Sequence, residues 1–381
     1  MQILGVLAFV VALLLSVMIH EFGHYLTAKR YGMKVSEFFL GFGTRIFSMQ
    51  RGETEFGIKA IPAGGYCKIE GMTPGDVMPV GEENRAFYKA SSGRKLIVLG
   101  AGSFLHFVIG YLLLFTLFAG IGTTQALPII AEVIKGSAAQ SAGIMVGDEV
   151  TSIDGKKVTD WYKDVTVIRN SQGRELTLGI KRAGQELIIT AAPTLETIDG
   201  QERFLLGIIN EVGLKRTGVV TSFKNAGVVT KDFLFESVKS LAKLPSKIPE
   251  LWGQTVNGEE RDVNGLVGVV GVARVSGQAV SSDELSAMER LATFVLIIAS
   301  LNIFVGIFNL LPILPLDGGH MAVAIADEIR AFIARLRRRS RPAAIDVTVL
   351  TPITMVVFVI LAALTILLLV ADIVNPVILN L

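Results

Sequence analysis

Cysteine, histidine and charged residues are all scarce in this chain of 381 residues. A single cysteine, Cys67, excludes an intramolecular disulfide and a cluster of thiolate metal ligands. The net charge is only +2 and no basic stripe with interleaved aromatic residues occurs, so the sequence predicts no nucleic-acid partner. Charged residues make up 18% and hydrophobic residues 51% of the chain, which is typical of a membrane protein.

Four segments are long and apolar enough to cross a bilayer, which requires about 20 residues. They comprise residues 2–24, 96–121, 291–311 and 352–374. The first segment lacks the basic start and the small-residue cleavage site of a signal peptide. The sequence therefore predicts a multi-pass α-helical membrane protein with four transmembrane helices.

The inner end of the first segment carries His20-Glu21-Phe22-Gly23-His24, although residues 1–19 contain no charged side chain. Residues four apart share a helix face, so His20 and His24 can bind one metal ion, while Glu21 lies about 100° around the helix. A chance occurrence would leave two histidines that merely hydrogen-bond to backbone carbonyls. Ionisable side chains at membrane depth are costly, however, and indicate function by default.

A second polar group interrupts the third apolar segment, in the stretch from Asn309 to His320. Pro312 and Pro315 cannot continue a regular helix, and such a break inside a membrane is tolerated only where the backbone is buried or lines a cavity. Asp317 supplies the carboxylate that a pair of histidines lacks, since catalytic zinc commonly has three protein ligands. The alternative is a proline-kinked helix that ends in an Asp-Gly turn.

The positive charge of the loops predicts the orientation of the chain. Eleven lysines and arginines lie from Lys29 to Lys95, and an arginine-rich stretch, Arg335–Arg341, lies between the third and fourth segments. The positive-inside rule places both loops in the cytosol, and it places both termini and residues 122–290 on the extracytoplasmic side. We interpret the arginine-rich stretch as a topology anchor in contact with anionic lipid headgroups.

The long segment between the second and third spans contains a candidate domain at residues 126–213. Its short β-type runs alternate with turn signals, and Gly147-Asp148 before a strand and an Asp154-Gly155 turn resembles the signature of PDZ domains. A PDZ groove binds extended peptide termini by strand addition, here near residues 204–208. The alternative is a β-rich spacer that binds no ligand.

Residues 226–290 begin with an amphipathic stretch, whose helical pattern is expected to break at Pro245 and Pro249. An amphipathic helix of this kind can lie on the outer surface of the membrane. It can equally pack as part of a protein core. The sequence leaves both alternatives open.

Taken together, the histidine pair in the first span, the segment from Asn309 to Asp317 in the third and the PDZ-like insert resemble the site-2 protease family. More specifically, the chain resembles the bacterial members that have one PDZ domain and regulate sigma-factor signalling. The resemblance implies that His20, His24 and Asp317 bind Zn²⁺ and that Glu21 is catalytic. It also implies an order of two spans (1–121), an extracytoplasmic α+β PDZ domain (126–213), a membrane-associated segment (226–290) and two further spans (291–381).

The same resemblance implies that Asn309 binds the substrate backbone or polarises its carbonyl. It implies that residues 39–68, with Gly64 and Gly65, form a re-entrant β-hairpin that receives an extended substrate. Two positions depart from the family pattern. Pro315 follows Asn309 by six residues where many members have five, and His106 occupies the place of an asparagine in the second span.

Two remaining histidines have more open roles. His106 either forms the hydrogen bonds of the missing asparagine or approaches the metal, and we favour the hydrogen bonds. His320 is expected to steady Asp317 or a carbonyl group rather than to bind zinc.

The function implied is intramembrane proteolysis by a zinc metalloendopeptidase of the cell membrane. Its implied substrates are single-pass membrane proteins, typically an anti-sigma factor after a first cut, and also remnant signal peptides. Peptide termini are expected at the PDZ domain, and membrane lipid is expected around the spans. A zinc transporter is disfavoured because no repeated halves occur, and a catalytically dead scaffold is disfavoured because Glu21 is present.

Overall fold

The computed structural model describes residues 1–198, 201–262 and 265–377. The chain separates into two compact units. Met1–Gly120 and Gly218–Leu381 form the first, called the membrane unit below, and Ile121–Thr217 forms the second, called the insert. The insert encloses the residues 126–213 that the sequence singles out.

The elements of the described residues are numbered along the chain. The helices are α1 (Gln2–Arg30), α2 (Ser92–Thr116), α3 (Ala138–Ser141), α4 (Trp161–Asp164), α5 (Thr166–Arg169), α6 (Val219–Val256), α7 (Val269–Ser281), α8 (Ala287–Asn309), α9 (Asp317–Leu336) and α10 (Thr351–Val374). The strands are β1 (Val35–Arg51), β2 (Thr54–Ile69), β3 (Thr123–Val133), β4 (Glu149–Ile153), β5 (Lys156–Lys157), β6 (Leu176–Arg182), β7 (Gln185–Ala191), β8 (Thr194–Ile198), β9 (Gln201–Leu205) and β10 (Ile208–Lys215).

Four helical segments of the described residues are long and apolar enough to cross a membrane, which confirms the predicted spans. They are Gln2–Arg30, Ser92–Ile121, Ala287–Asn309 and Val347–Val374. α1 packs against α2 and α7, and α2 packs against α8. α1 continues through both histidines to Arg30, and Lys29 and Arg30 suit the negative end of its dipole.

The third span ends where the prolines predict. α8 ends at Asn309, an irregular stretch follows, and α9 begins at Asp317. α8 starts with a capping box between Ser286 and Glu289, which fixes its opposite end. The break therefore separates Asn309 and Asp317 onto two helices.

β1 and β2 form a bent antiparallel hairpin that extends over residues 35–69, slightly beyond the predicted 39–68. Leu40 pairs with both Ile58 and Gly65, so the first half of β1 has a partner strand on each side. The last part of β2, residues 65–69, is consequently an outer edge of this small sheet. Gly65 lies against α1, where an added Cβ would come within 2.7 Å of the Met18 sulfur.

The insert is an α+β unit around one sheet with the strand order β10-β3-β4-β6-β7, and β5 pairs with β4. Its core contains Ile130, Leu176, Leu178 and Ile180, none of them more than 1% exposed. β8 and β9 form a separate two-stranded hairpin. β10 lies at the end of the strand order, so its outer edge has no partner strand among the described residues.

The expected break in the amphipathic segment is wrong, because α6 runs through both Pro245 and Pro249. Both prolines are exposed, so the carbonyl groups that lose an amide partner are not sealed in a core. The hydroxyl of Ser246 also donates to the Lys243 carbonyl at 2.7 Å. One face of α6 packs against α2, α8 and α10, whereas Phe235 and Trp252 are exposed. Part of the helix therefore packs within the membrane unit, and its position on the membrane surface stays a prediction.

Candidate metal centre

The structure brings together one nitrogen from each of two histidines and one carboxylate oxygen. His20 Nε2 and His24 Nε2 lie 3.0 Å apart on α1. Asp317 Oδ2, at the start of α9, lies 3.1 Å from His20 Nε2 and 3.3 Å from His24 Nε2. Within the described ranges these three residues form the only cluster of this type that could hold a metal ion.

The donor set and its orientation fit zinc. Three ligand atoms at zinc-bond lengths of about 2.1 Å in a tetrahedron lie roughly 3.4 Å apart, close to the separations found here. His24 Nδ1 donates to the Val98 carbonyl at 2.8 Å, which leaves the Nε2 lone pair free for a metal. Both histidines are 7% exposed, so the ligands are shielded from bulk solvent.

Two glycines let α2 approach α1 closely enough to hold this cluster. A Cβ on Gly102 would lie 2.5–2.7 Å from three ring atoms of His20. A Cβ on Gly23 would lie 2.7 Å from the Ala101 carbonyl oxygen. The absence of side chains at these two positions therefore makes room for the His20 ring and for the contact between the helices.

A glycine pair likewise lets the broken segment fold back onto the start of α9. A Cβ on Gly318 would lie 2.3 Å from the Leu310 carbonyl, and one on Gly319 would lie 2.5 Å from the Leu314 amide nitrogen. Asp317 precedes this pair directly, so close backbone packing places its carboxylate beside the histidines.

A cavity of about 440 Å³ adjoins the metal cluster. Glu21, His24 and Asp317 line one side of it. The outer edge of β2 lines the other side with Tyr66, Cys67, Lys68 and Ile69. A carboxylate, a candidate metal site and a strand edge thus share one space.

Behind the cluster lies a buried hydrogen-bond network of Ser16, His106 and Asn302. Asn302 Nδ2 donates to the Ile298 carbonyl at 2.8 Å, which leaves its Oδ1 as the acceptor. His106 Nδ1 lies 3.0 Å from that oxygen, and the Ser16 hydroxyl donates to it at 2.5 Å. His106 Nδ1 therefore carries a proton in this arrangement, and its ring centre is 4.9 Å from that of His20.

Comparison with known proteins agrees with this geometry. The model of Peptidase family M50 matches residues 8–355. This chain belongs to peptidase family M50, the site-2 protease family. Its likeness to the family therefore extends over both motifs and the insert.

M50 relatives of similar length are named as zinc enzymes. The zinc metalloprotease Rip1 of Mycobacterium tuberculosis H37Rv is 32% identical over 412 residues, covering 99% of each chain. The putative zinc metalloprotease Atu1380 of Agrobacterium fabrum is 30% identical over 338 residues, covering 85% of this chain and 86% of its own. This M50 member is accordingly a zinc metalloprotease, and Zn²⁺ is its cofactor.

The other predicted site residues of this M50 protein lie outside the three-residue metal cluster. Asn309 is half-buried at the last position of α8. Gly64, with φ +140°, and Gly65 lie where β2 passes Phe42 and α1. His320 lines a separate cavity of about 190 Å³ with Pro315. Among the described residues its side chain forms no hydrogen bond to Asp317 or to a carbonyl group, so its steadying role stays a prediction.

Sequence reasoning missed Ser16 and Asn302. Their signal was present, since Ser16 and Asn302 are polar residues within predominantly apolar spans, where polar groups need partners. The predicted hydrogen-bonding role of His106 corresponds to its contacts with these two residues. Its ring nitrogens do not join the three-residue cluster.

Proposed function

We propose that this M50 protease cleaves peptide bonds within the membrane-spanning segments of single-pass membrane proteins. The observation that carries the proposal is the shared cavity, where Glu21 and the His20–His24–Asp317 cluster face the outer edge of β2. Glu21 and both histidines belong to a helix that is apolar enough to span a bilayer. The chemistry is thereby available at the depth of a substrate helix.

Each residue of the site has a separate role in hydrolysis. When bound by His20, His24 and Asp317, zinc supplies Lewis-acid chemistry that acidifies water and polarises a carbonyl group. Glu21 takes the proton of the attacking water and passes it to the leaving amine. Asn309 donates a hydrogen bond to the substrate carbonyl or backbone from the end of α8.

The edge of β2 favours a substrate in extended form. A helical segment hides its peptide groups, whereas an outer strand offers free backbone groups that pair with main chain of any sequence. Residues 66–69 line the cavity beside Glu21, so a strand added there brings its peptide bonds to the carboxylate. The outer half of the hairpin exposes Phe42, Ile46 and Phe47, which supports a hairpin that re-enters the membrane.

We propose that the insert is a PDZ domain that binds chain termini. In the described residues the outer edge of β10 has no partner strand, and the backbone just before β10 is held by the Ala139 amide donating to the Leu206 carbonyl at 2.7 Å. Extended termini can add to such an edge. We propose that the insert recognises a terminus made by an earlier cut or excludes substrates with bulky ectodomains.

The charge pattern supports an orientation with both termini and the insert outside the cytosol and the basic loops inside. In a bacterial cell membrane this arrangement suits an anti-sigma factor shortened by another protease, or a remnant signal peptide. α6, with Phe235 and Trp252 exposed, is proposed to rest on the outer membrane surface.

The decisive experiment compares membrane-protein fragments from cells that express wild-type protein or Glu21→Gln. The variant is expected to lose proteolysis by at least about a thousand-fold and to keep its zinc, because no metal ligand changes. Glu186→Gln, which changes an exposed carboxylate on β7 of the insert, is the matched control and should cleave normally. Identical fragments from Glu21→Gln and wild type would overturn the proposal.

A further inference from the structure

α9 exposes an apolar face that no other described part of the chain covers. Its buried face consists of small residues, Ala324, Ala331 and Ala334. Five large apolar side chains are exposed by 41–69%: Ile325, Ile329, Phe332, Ile333 and Leu336. At about 100° per residue, these five side chains fall within one arc of roughly 100°. α9 therefore carries a narrow, continuous apolar stripe.

Unpaired positive charge lies at the C-terminal end of the same helix. Arg330 pairs with Asp327 at 3.2 Å, and Arg341 pairs with Glu328 at 3.1 Å. In the described ranges no acidic partner is found for the exposed arginines between them, Arg335, Arg337, Arg338 and Arg339. Four guanidinium groups within five residues form a strong site for anions.

This end of α9 is tied to the start of two membrane spans. Arg330 donates to the Ala343 carbonyl at 3.3 Å, and the Ile345 amide donates to Asp327 at 2.9 Å. That segment leads directly into the fourth span, which begins at Val347. Ser92, the first residue of α2, donates to Glu328 at 3.0 Å. The four arginines thus follow the part of α9 that is bonded to the starts of two spans.

We propose that the C-terminal half of α9 is an interfacial anchor that binds acidic phospholipids. The apolar stripe lies in the outer part of the acyl region, and the four arginines bind the phosphate groups of anionic headgroups. Charge complementarity and continuity with the span at Val347 favour a lipid surface over a soluble partner. Guanidinium groups suit phosphate because they donate two parallel hydrogen bonds.

The test measures lipid retention by the purified full chain in an uncharged detergent, using native mass spectrometry. Phosphatidylglycerol and phosphatidylcholine are added in equal amounts, and the lipids that stay bound are counted. Wild type should retain phosphatidylglycerol preferentially. Changing Arg335, Arg337, Arg338 and Arg339 to Gln should lower that preference at least ten-fold, since each charge near a headgroup contributes about five-fold.

Three further arms decide the interpretation. Lys135, Lys156, Lys157 and Arg169 changed to Gln remove four exposed charges from the insert and should leave retention unchanged. Phe332→Ser should weaken retention of phosphatidylglycerol if acyl chains occupy the stripe. Inorganic phosphate in the millimolar range should not displace the lipid, because it cannot use the stripe.

The lipid-retention experiment uses no substrate, so a negative result would not bear on the proposed proteolysis. Equal retention of both lipids by wild type, or an equal loss in the insert control, would overturn the proposal. So would full displacement by phosphate, or undiminished phosphatidylglycerol binding by the Arg→Gln variant. In that last case a protein partner becomes the better occupant of the face.

Discussion

The insert and the membrane unit differ in which polar side chains they bury and which apolar ones they expose. The insert buries Leu178 and its neighbours in one core, and its buried carboxylate, Asp148, is held by two bonds of 2.7 Å from Arg182. In the membrane unit, the fourth span, Val347–Val374, buries none of its most apolar stretch. Beside apolar residues such as Phe9 and Ile303, the membrane unit buries several polar side chains, among them Ser16, His20, His24, His106, Asn302 and Asp372.

The buried polar side chains of the membrane unit indicate where polarity has a function. Water can satisfy a polar group at the surface of the insert, so most polar residues there need no special explanation. A polar group inside the membrane unit has lipid or protein on every side, and its burial is costly without a partner. Substitutions at the metal cluster and in the Ser16–His106–Asn302 network should therefore affect zinc binding and cleavage, whereas substitutions in the core of the insert should affect only the stability of the insert.

Among substitutions that leave every proposed catalytic and metal-binding residue in place, the largest effect is expected from Gly102→Ala, which adds a methyl group beside the His20 ring. The ring has to move because the added Cβ would lie 2.5 Å from it. Zinc affinity and proteolysis should fall by at least about a hundred-fold, since ligand placement within a fraction of an ångström is required. Metal analysis and cleavage assays measure both losses.

Gly100→Ala, on the same helix, is the matched control for Gly102→Ala. Its Cβ would meet only the Met321 side chain, at 3.7 Å, which is an ordinary contact. Zinc content and activity should stay within two-fold of wild type. If both variants behave alike, the Gly102 contact does not position His20.

Leu178→Ala tests the opposite unit, because it makes a cavity in the core of the insert. Leu178 is fully buried, so the insert should lose about 2–5 kcal/mol of stability. Zinc content and cleavage of an already shortened substrate should persist, since no site residue changes. Limited proteolysis of the insert, with the exposed Ile188→Ala as control, measures the effect. Loss of zinc in Leu178→Ala would show that the two units do not fold independently.

A smaller effect is expected from Asn302→Leu, which replaces the acceptor of the buried network by an apolar group of similar size. His106 Nδ1 and the Ser16 hydroxyl both lose their acceptor, at a cost of about 1–3 kcal/mol in stability. Cleavage should also fall, because the ring beside His20 is no longer held. Thermal unfolding and cleavage rates are compared with Ser300→Ala, a half-buried position on the same helix. Normal stability and activity of Asn302→Leu would make the network incidental.

Local patterns predicted the histidine pair well, because a spacing of four residues fixes two side chains on one helix face. The break before Asp317 was likewise readable from Pro312 and Pro315. Asn302 was not readable in this way, since its partner His106 lies 196 positions away and only the packing of α8 on α2 joins them. The prediction of a break in α6 was wrong because a local rule about proline takes no account of exposure. At an exposed position the carbonyl groups that lose their amide partners are not buried, so the helix can continue.

The smallest effect is expected at a charged clasp around Glu53, in the turn between β1 and β2. Glu53 pairs with Lys29, and Arg85 Nη1 lies 2.5 Å from its Oε2. Arg85 first, and then Lys29, lower the pKa of Glu53 from 4.5 to about 2. Because the folded-state pKa is depressed, the clasp stabilises the fold fully above pH 4.5 and loses this contribution as the pH falls towards 2.

Glu53→Gln should therefore lower the free energy of unfolding by about 1 kcal/mol at pH 7, a modest amount because the pair is partly exposed to solvent. The difference from wild type should shrink below pH 4.5 and approach zero near pH 2. Thermal unfolding across this range measures it, and taking the difference between the two proteins cancels the loss of zinc that both suffer in acid. Glu132→Gln, an exposed carboxylate of the insert, should show no such pH dependence. A constant difference between Glu53→Gln and wild type at every pH would mean that the clasp acts through packing rather than charge.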